Sequence, residues 1–158
     1  MRVSRMVCRS LVVGSVVTVT IVGLAVAQSK IGSGDIVADR QRLMKLNGAS
    51  LQDIQAKLKA GSTEAIAVNA ETIALNAQHI PALFPQGSRT DKSKAKPEIW
   101  EKWAEFEAAA KNLEAQADKL RDAARSKNAA ATEAVAKDFG RLACGTCHTP
   151  FRVPPPRS

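Results

Sequence analysis

Near its C-terminus the chain reads Cys144-Gly145-Thr146-Cys147-His148. Two thiols three positions apart, followed at once by an imidazole, form the attachment signature of a c-type haem. The thiols can add across two vinyl groups of one porphyrin to give thioethers, and His148 then supplies an axial nitrogen to the iron. Other chemistries fit less well. A structural zinc site takes about four ligands, whereas the chain holds only Cys8, Cys144, Cys147, His79 and His148 as thiol or imidazole donors. A thioredoxin-like redox pair follows a strand, and the residues before Cys144 read as helix. A plain disulfide leaves His148 without a role. The expected cofactor is one covalent haem c, with the polypeptide tuning its chemistry.

The N-terminus bears on where such a group is attached. Arg2, Arg5 and Arg9 precede an uncharged stretch from Ser10 to Ser29, and Ala25-Val26-Ala27 offers a small-x-small cleavage site. Residues 1–27 are expected to be a secretory signal peptide. The alternative is an uncleaved membrane anchor, which Ser15, Thr18, Thr20 and two glycines weaken. Cys8 leaves with this segment. The mature chain, 28–158, is one domain in length. Loss of the three arginines lowers the formal charge from +8 to +5, since no acid precedes Asp35. Such a surface can steer an acidic redox partner. No Lys/Arg cluster interleaved with aromatics points to nucleic acid, and Tyr is absent.

A haem iron held by one histidine has a second axial position, commonly filled by Met, His, Lys or Tyr. In the mature chain Met44 is the one methionine and His79 the one other histidine. His79 falls where a helix ends, a place suited to capping. Met44 lies on an apolar stripe, where filling the core is its ordinary work; beside a haem its thioether can instead reach iron.

Four stretches carry apolar residues at helical period, and none alternates as a strand. The first is expected to start at an Asp35 N-cap. Its stripe is Val37, Met44, Leu51 and Leu58, spaced by seven, with Ile36, Leu43 and Ile54. Ala60-Gly61-Ser62-Thr63 is expected to end it and cap the next. The second carries Ile66, Ala70, Ile73, Ala77 and Ile80, then breaks at Pro81 and Pro85. Residues 81–96 form a connection long enough to wrap a cofactor or the bundle end. The third opens at Pro97 and shows Trp100, Trp103, Phe106, Ala110, Leu113, Ala117, Leu120 and Ala124. After a turn at Ser126-Lys127-Asn128, the fourth runs from about Ala129, through Val135, Phe139 and Leu142, into the haem motif (144–148). Pro150 ends it, and residues 153–158 form a Pro-rich tail. The expected fold is all-α, an antiparallel four-helix bundle enclosing a covalently attached haem.

Arg40-Gln41-x-x-Met44, Lys96-Pro97-Glu98-Ile99-Trp100 and Cys144-x-x-Cys147-His148-x-x-Phe151-Arg152, with the haem motif at the far C-terminus, together resemble the class II cytochromes c, the cytochrome c′ family. The resemblance covers about residues 31–152. It implies that position 44 points at the distal haem face, where many members carry Leu and hold five-coordinate iron that binds nitric oxide or carbon monoxide. Met44 resembles the low-spin branch, with His148 and Met44 both on iron. It further implies Arg40 near the propionates, Gln41 at the haem edge, Trp100 packed in the core or on the haem, and Arg152 near His148. The expected function is a periplasmic one-electron carrier serving other periplasmic redox proteins. It is not an enzyme, has no membrane association after cleavage, and is a monomer or homodimer. The alternative is a high-spin binder of nitric oxide or carbon monoxide.

Overall fold

A computed structural model describes residues 32–154. The proposed signal peptide and the last four residues of the tail lie outside them. Six helices follow: α1 Ile36–Lys59, α2 Ile66–His79, α3 Glu98–Glu101, α4 Trp103–Arg125, α5 Ala129–Phe139 and α6 Thr146–Phe151. A 3-10 turn, Pro81–Leu83, follows α2, and a π-helical turn, Gly140–Gly145, joins α5 to α6. The rods α1, α2, α3–α4 and α5–α6 make the antiparallel four-helix bundle that the periodicity requires. Among the described residues the one β-type pairing is a bridge between Ala95 and Arg152, and no helix is long and apolar enough to cross a membrane.

Asp35 caps α1 as expected. Its carboxylate accepts from the amides of Val37 at 3.0 Å and Ala38 at 3.1 Å, an arrangement worth about 1 kcal/mol. One turn on, Asp39 accepts from the Ser33 amide at 2.9 Å and from Arg42 at 2.6 Å. Burial raises its pKa, but the Ser33 bonds and then Arg42 outweigh burial and leave it below the usual carboxylate value. At the other end Gly61 takes φ +70°. There the Ser62 amide donates to Lys57 O at 2.9 Å and that of Gly61 to Leu58 O at 3.1 Å, the paired bonds of a Schellman stop.

The second helix starts later than expected. Ser62 and Thr63 do not cap it with their side chains. Their carbonyls accept from Ala65 and Ile66 in a preceding turn, and Ala65 takes the cap position. The expected stripe is nonetheless the core: Ile66, Ala70, Ile73, Ala77 and Ile80 are all buried. It packs on α4 through Phe106, Ala110, Leu113, Ala117, Leu120 and Ala124, where alanines let the two helices approach closely.

The third rod is not one helix. Lys102 breaks it at φ −120°, ψ 49°, although its own amide still donates to Glu98 O and Phe106 N to Lys102 O. The break sets Ile99 into the core at 2% exposure and leaves Trp100 and Trp103 half-buried. Ile99 stands seven residues before Phe106, in the heptad of Leu113 and Leu120.

The fourth rod opens at Asn128, whose side chain accepts from Ala131 N at 3.0 Å. Its expected continuity is interrupted by the wide turn at 140–145. Asn112 of α4 donates to Leu142 O at 2.8 Å and to Thr146 Oγ1 at 3.1 Å, and Thr146 Oγ1 donates back to Ala143 O at 3.0 Å. Side chains thus occupy carbonyls that α-helical amides would otherwise take. Pro150, which lacks an N–H, sits inside the short α6, and the helix stops at Phe151.

Packing around α1 is uneven. Val37 and Ile54 are buried, whereas Leu43, Met44, Leu51 and Leu58 of its stripe are only partly so. Near Leu51 the helix lies against Gly140. At its N-terminal end it faces a cavity instead of a helix.

Candidate functional site

One face of α1, with Val37, Arg40, Gln41, Met44 and Lys45 at helical spacing, forms a wall of that cavity. Phe84 and Ser93 to Ala95 of the crossover, Ile99 and Phe106 of the third rod, and Cys147, His148, Phe151 and Arg152 of the C-terminal segment complete it. Its volume is about 390 Å³, within the range of about 300–1,000 Å³ usual for small-molecule and cofactor sites. The floor is buried and apolar: Val37, Phe84, Ile99, Phe106 and Phe151. Phe106 stacks edge-on against Phe84, centroids 4.9 Å apart, and against Phe151 at 5.5 Å. The rim is exposed and polar: Gln41, Lys45, Lys94, His148 and Arg152.

The crossover is stitched to both sides of this cavity. Lys96 N donates to Phe151 O at 3.0 Å and Val153 N to Lys94 O at 2.8 Å. Lys96 Nζ reaches Thr149 O at 3.2 Å. The long connection therefore does wrap one end of the bundle, clasping the residues just after the Cys-x-x-Cys-His motif.

On the α1 side the fastener is Arg40, only 4% exposed. Its Nε donates to Leu83 O, Nη1 to Ser88 O at 3.0 Å and Nη2 to Ser88 Oγ. The guanidinium lies over the Phe84 ring, 4.2 Å from its centroid. Arg40 thus lines the cavity while most of its donors hold the crossover. Gln41 is exposed on the rim and donates weakly to Lys92 O at 3.4 Å. Trp100 is not on the cavity wall. It stands behind Phe84, with Nε1 donating to Phe84 O at 3.1 Å and Pro85 O at 3.0 Å. Arg152 sits on the rim beside His148, its amide bonded to His148 O at 3.1 Å.

The chemistry-bearing residues meet at this end. Met44 and His148 line the same cavity, Cys147 stands with them, and Cys144 is half-buried just outside the lining. The two cysteines are not joined to each other as a disulfide. Burial pushes the Cys144 pKa up; burial and then the nearby Cys144 push that of Cys147 to about 11, so both stay protonated at neutral pH. His148 is exposed as a residue, but the protein around its ring desolvates it, and this, then the Arg152 charge, lowers its pKa, which favours the neutral imidazole that can ligate a metal. His79 ends α2, exposed and away from the cavity. Among the described residues no cluster of three His, Cys, Asp or Glu forms a metal site of another kind. Sequence reasoning missed Phe84, Lys94 and Ala95 on the wall, although Phe84 is an aromatic between two prolines in the long connection.

An apolar cavity at one end of a four-helix bundle, with a Cys-x-x-Cys-His segment on its wall, defines a class: helical proteins built around a covalently attached haem. The family model described as Cytochrome C′ matches residues 35–152, and the chain belongs to that family. It is 35% identical over 120 residues to cytochrome c-556 of Agrobacterium tumefaciens (strain II Chrys), covering 74% of this chain and 96% of the relative. The solved cytochrome c′ of Thermochromatium tepidum superposes with a TM-score of 0.69 at 25% identity, over 75% of this chain and 95% of that one. A second solved cytochrome c′, described as showing an unusual ligand-controlled dimer dissociation, superposes at 0.68 with 26% identity, over 75% and 95%. The cofactor is haem c, and the buried aromatic floor beside Cys147 and His148 suits an apolar macrocycle.

Proposed function

We propose that the chain is a periplasmic one-electron carrier in which His148 and Met44 would both hold the iron of a single haem c. The observation that carries this reading is that Met44 and His148 line one cavity. When bound, haem c supplies a ferric/ferrous couple. Cys144 and Cys147 would anchor it through thioethers, and His148 would offer a neutral imidazole nitrogen. A Met44 thioether on the iron would favour the ferrous state, raise the potential and exclude small ligands. Phe84, Phe106 and Phe151 exclude water from the site. Arg40 has five N–H donors and commits three to the crossover, so the remaining two are available to a propionate. Gln41 and Arg152 offer further donors on the rim. Trp100 acts from behind, by holding the Phe84 backbone. The carrier is not an enzyme. Residues 1–27 serve as its export signal, and 28–158 form the mature protein. Exposed Leu46, Val68 and Leu75 on α1 and α2 support a homodimer through those helices over a monomer.

A second reading has its own support. Family membership, and the ligand-controlled dimer ascribed to one solved relative, favour a five-coordinate cytochrome c′ that binds nitric oxide or carbon monoxide. The comparisons by themselves lean towards it, whereas the side chain at position 44 favours the carrier. Visible and near-infrared spectra of the mature holoprotein decide between them. The carrier gives sharp, split ferrous bands and a weak near-infrared sulfur-to-iron band. A broad, unsplit ferrous band with ready uptake of carbon monoxide overturns it in favour of the gas binder.

A further inference from the structure

Charge is distributed unequally over the bundle. Four of the fifteen residues lining the cavity are cationic, Arg40, Lys45, Lys94 and Arg152, and none is acidic. The crossover beside them adds Arg89, Lys92 and Lys96 against the single acid Asp91. Elsewhere acids and bases neutralise each other. Glu71 pairs with Arg125 at 2.9 Å and Arg121 at 3.4 Å, Asp122 with Arg121 at 3.0 Å, and Asp53 with Lys57 at 2.8 Å. Among the described residues, Lys45, Lys94 and Arg152 have no carboxylate within 4 Å. Two propionates would offset two of the four lining charges and leave the mouth cationic.

A cavity opening ringed by one sign of charge, with low-dielectric walls behind it, focuses the local field outward. A haem c held by Cys147 and His148 would lie at this mouth, since both line the cavity and His148 is exposed there. We infer that this rim is the docking surface for an acidic redox protein, with Lys45 on α1 and Lys94 on the crossover as its two principal contacts. The inference rests on the electron-carrier reading above and adds the place and the charge of the partner.

The test uses the mature holoprotein, its covalent haem verified by mass. One electron passes from the ferrous protein to hexacyanoferrate(III), giving ferric protein and hexacyanoferrate(II). The second-order rate is measured against ionic strength, with and without poly-L-glutamate as the acidic-polypeptide probe. Two double variants make the same change in net charge: Lys45→Glu/Lys94→Glu on the rim, and Lys59→Glu/Lys119→Glu. Lys59 lies 14 residues along α1 from Lys45, about 21 Å away. The rim variant should react at least about tenfold more slowly than wild type at low salt. That gap should close near 1 M salt, where the screening length falls to about 3 Å. Poly-L-glutamate should slow the wild type and the remote variant but not the rim variant. Equal rates in the two variants, or equal inhibition of both, would overturn the docking surface while leaving the carrier intact. A high-spin spectrum of the wild-type holoprotein would instead overturn the carrier reading, and the inference with it.

Discussion

Met44→Ala should convert a low-spin haem protein into a high-spin one and open its iron to carbon monoxide. The side chain stands on the α1 face that lines the cavity, one turn beyond Arg40. Alanine removes the thioether and leaves space at the distal wall. No second imidazole or phenol is at hand: His79 is exposed at the end of α2, outside the cavity lining, and Tyr is absent from the chain. Three readouts should move together. The split ferrous bands broaden, and the reduction potential falls because a ligand that favours ferrous iron is gone. Carbon monoxide affinity rises about tenfold for every 1.4 kcal/mol that the thioether contributed. A variant that keeps its low-spin spectrum would show that Met44 is not the ligand, and one of the rim lysines would become the candidate.

Arg40→Ala should cost about 3 kcal/mol of holoprotein stability, read from denaturant unfolding. The guanidinium is buried and donates to the carbonyls of Leu83 and Ser88 and to the Ser88 hydroxyl. Truncation leaves those acceptors unpaired, at about 1–3 kcal/mol for each that stays buried, and removes the cation over Phe84. Arg40→Lys should recover little. A single ammonium cannot reproduce the planar fork that reaches residues 83 and 88 together. Near-complete recovery by lysine would mean that charge alone, and not the tether, is what this position supplies.

The chain declares its architecture where short-range rules operate. The Asp35 cap, the Gly61 stop and the Ile66–Ile80 stripe follow from local propensity and period, and the Cys-x-x-Cys-His motif needs only five adjacent residues. The family resemblance needs three such short segments, from Arg40 to Arg152, in their order along the chain. The features that escaped depend on partners far along the chain. Arg40 holds acceptors 43 and 48 residues downstream. At the wide turn at 140–145 the Leu142 carbonyl accepts from Asn112, 30 residues earlier. Lys94 and Ala95 reach the cavity wall through backbone pairing with residues 151–153. The break at Lys102 was partly legible: extending the Phe106, Leu113, Leu120 heptad backwards selects Ile99, whereas the alternating reading selected Trp100 and Trp103. Met44 on the α1 stripe is only partly buried because it lines the cavity, and an apolar side chain looks the same in sequence whether it meets a helix or a porphyrin.

The most direct measurement is the intact mass of the mature polypeptide, made with a working haem-maturation system and denatured before analysis. The expected mass is that of residues 28–158 plus one haem, resistant to acid extraction and abolished by Cys144→Ala/Cys147→Ala. A polypeptide carrying no tetrapyrrole, or one that releases it on denaturation with both cysteines still free, would contradict it.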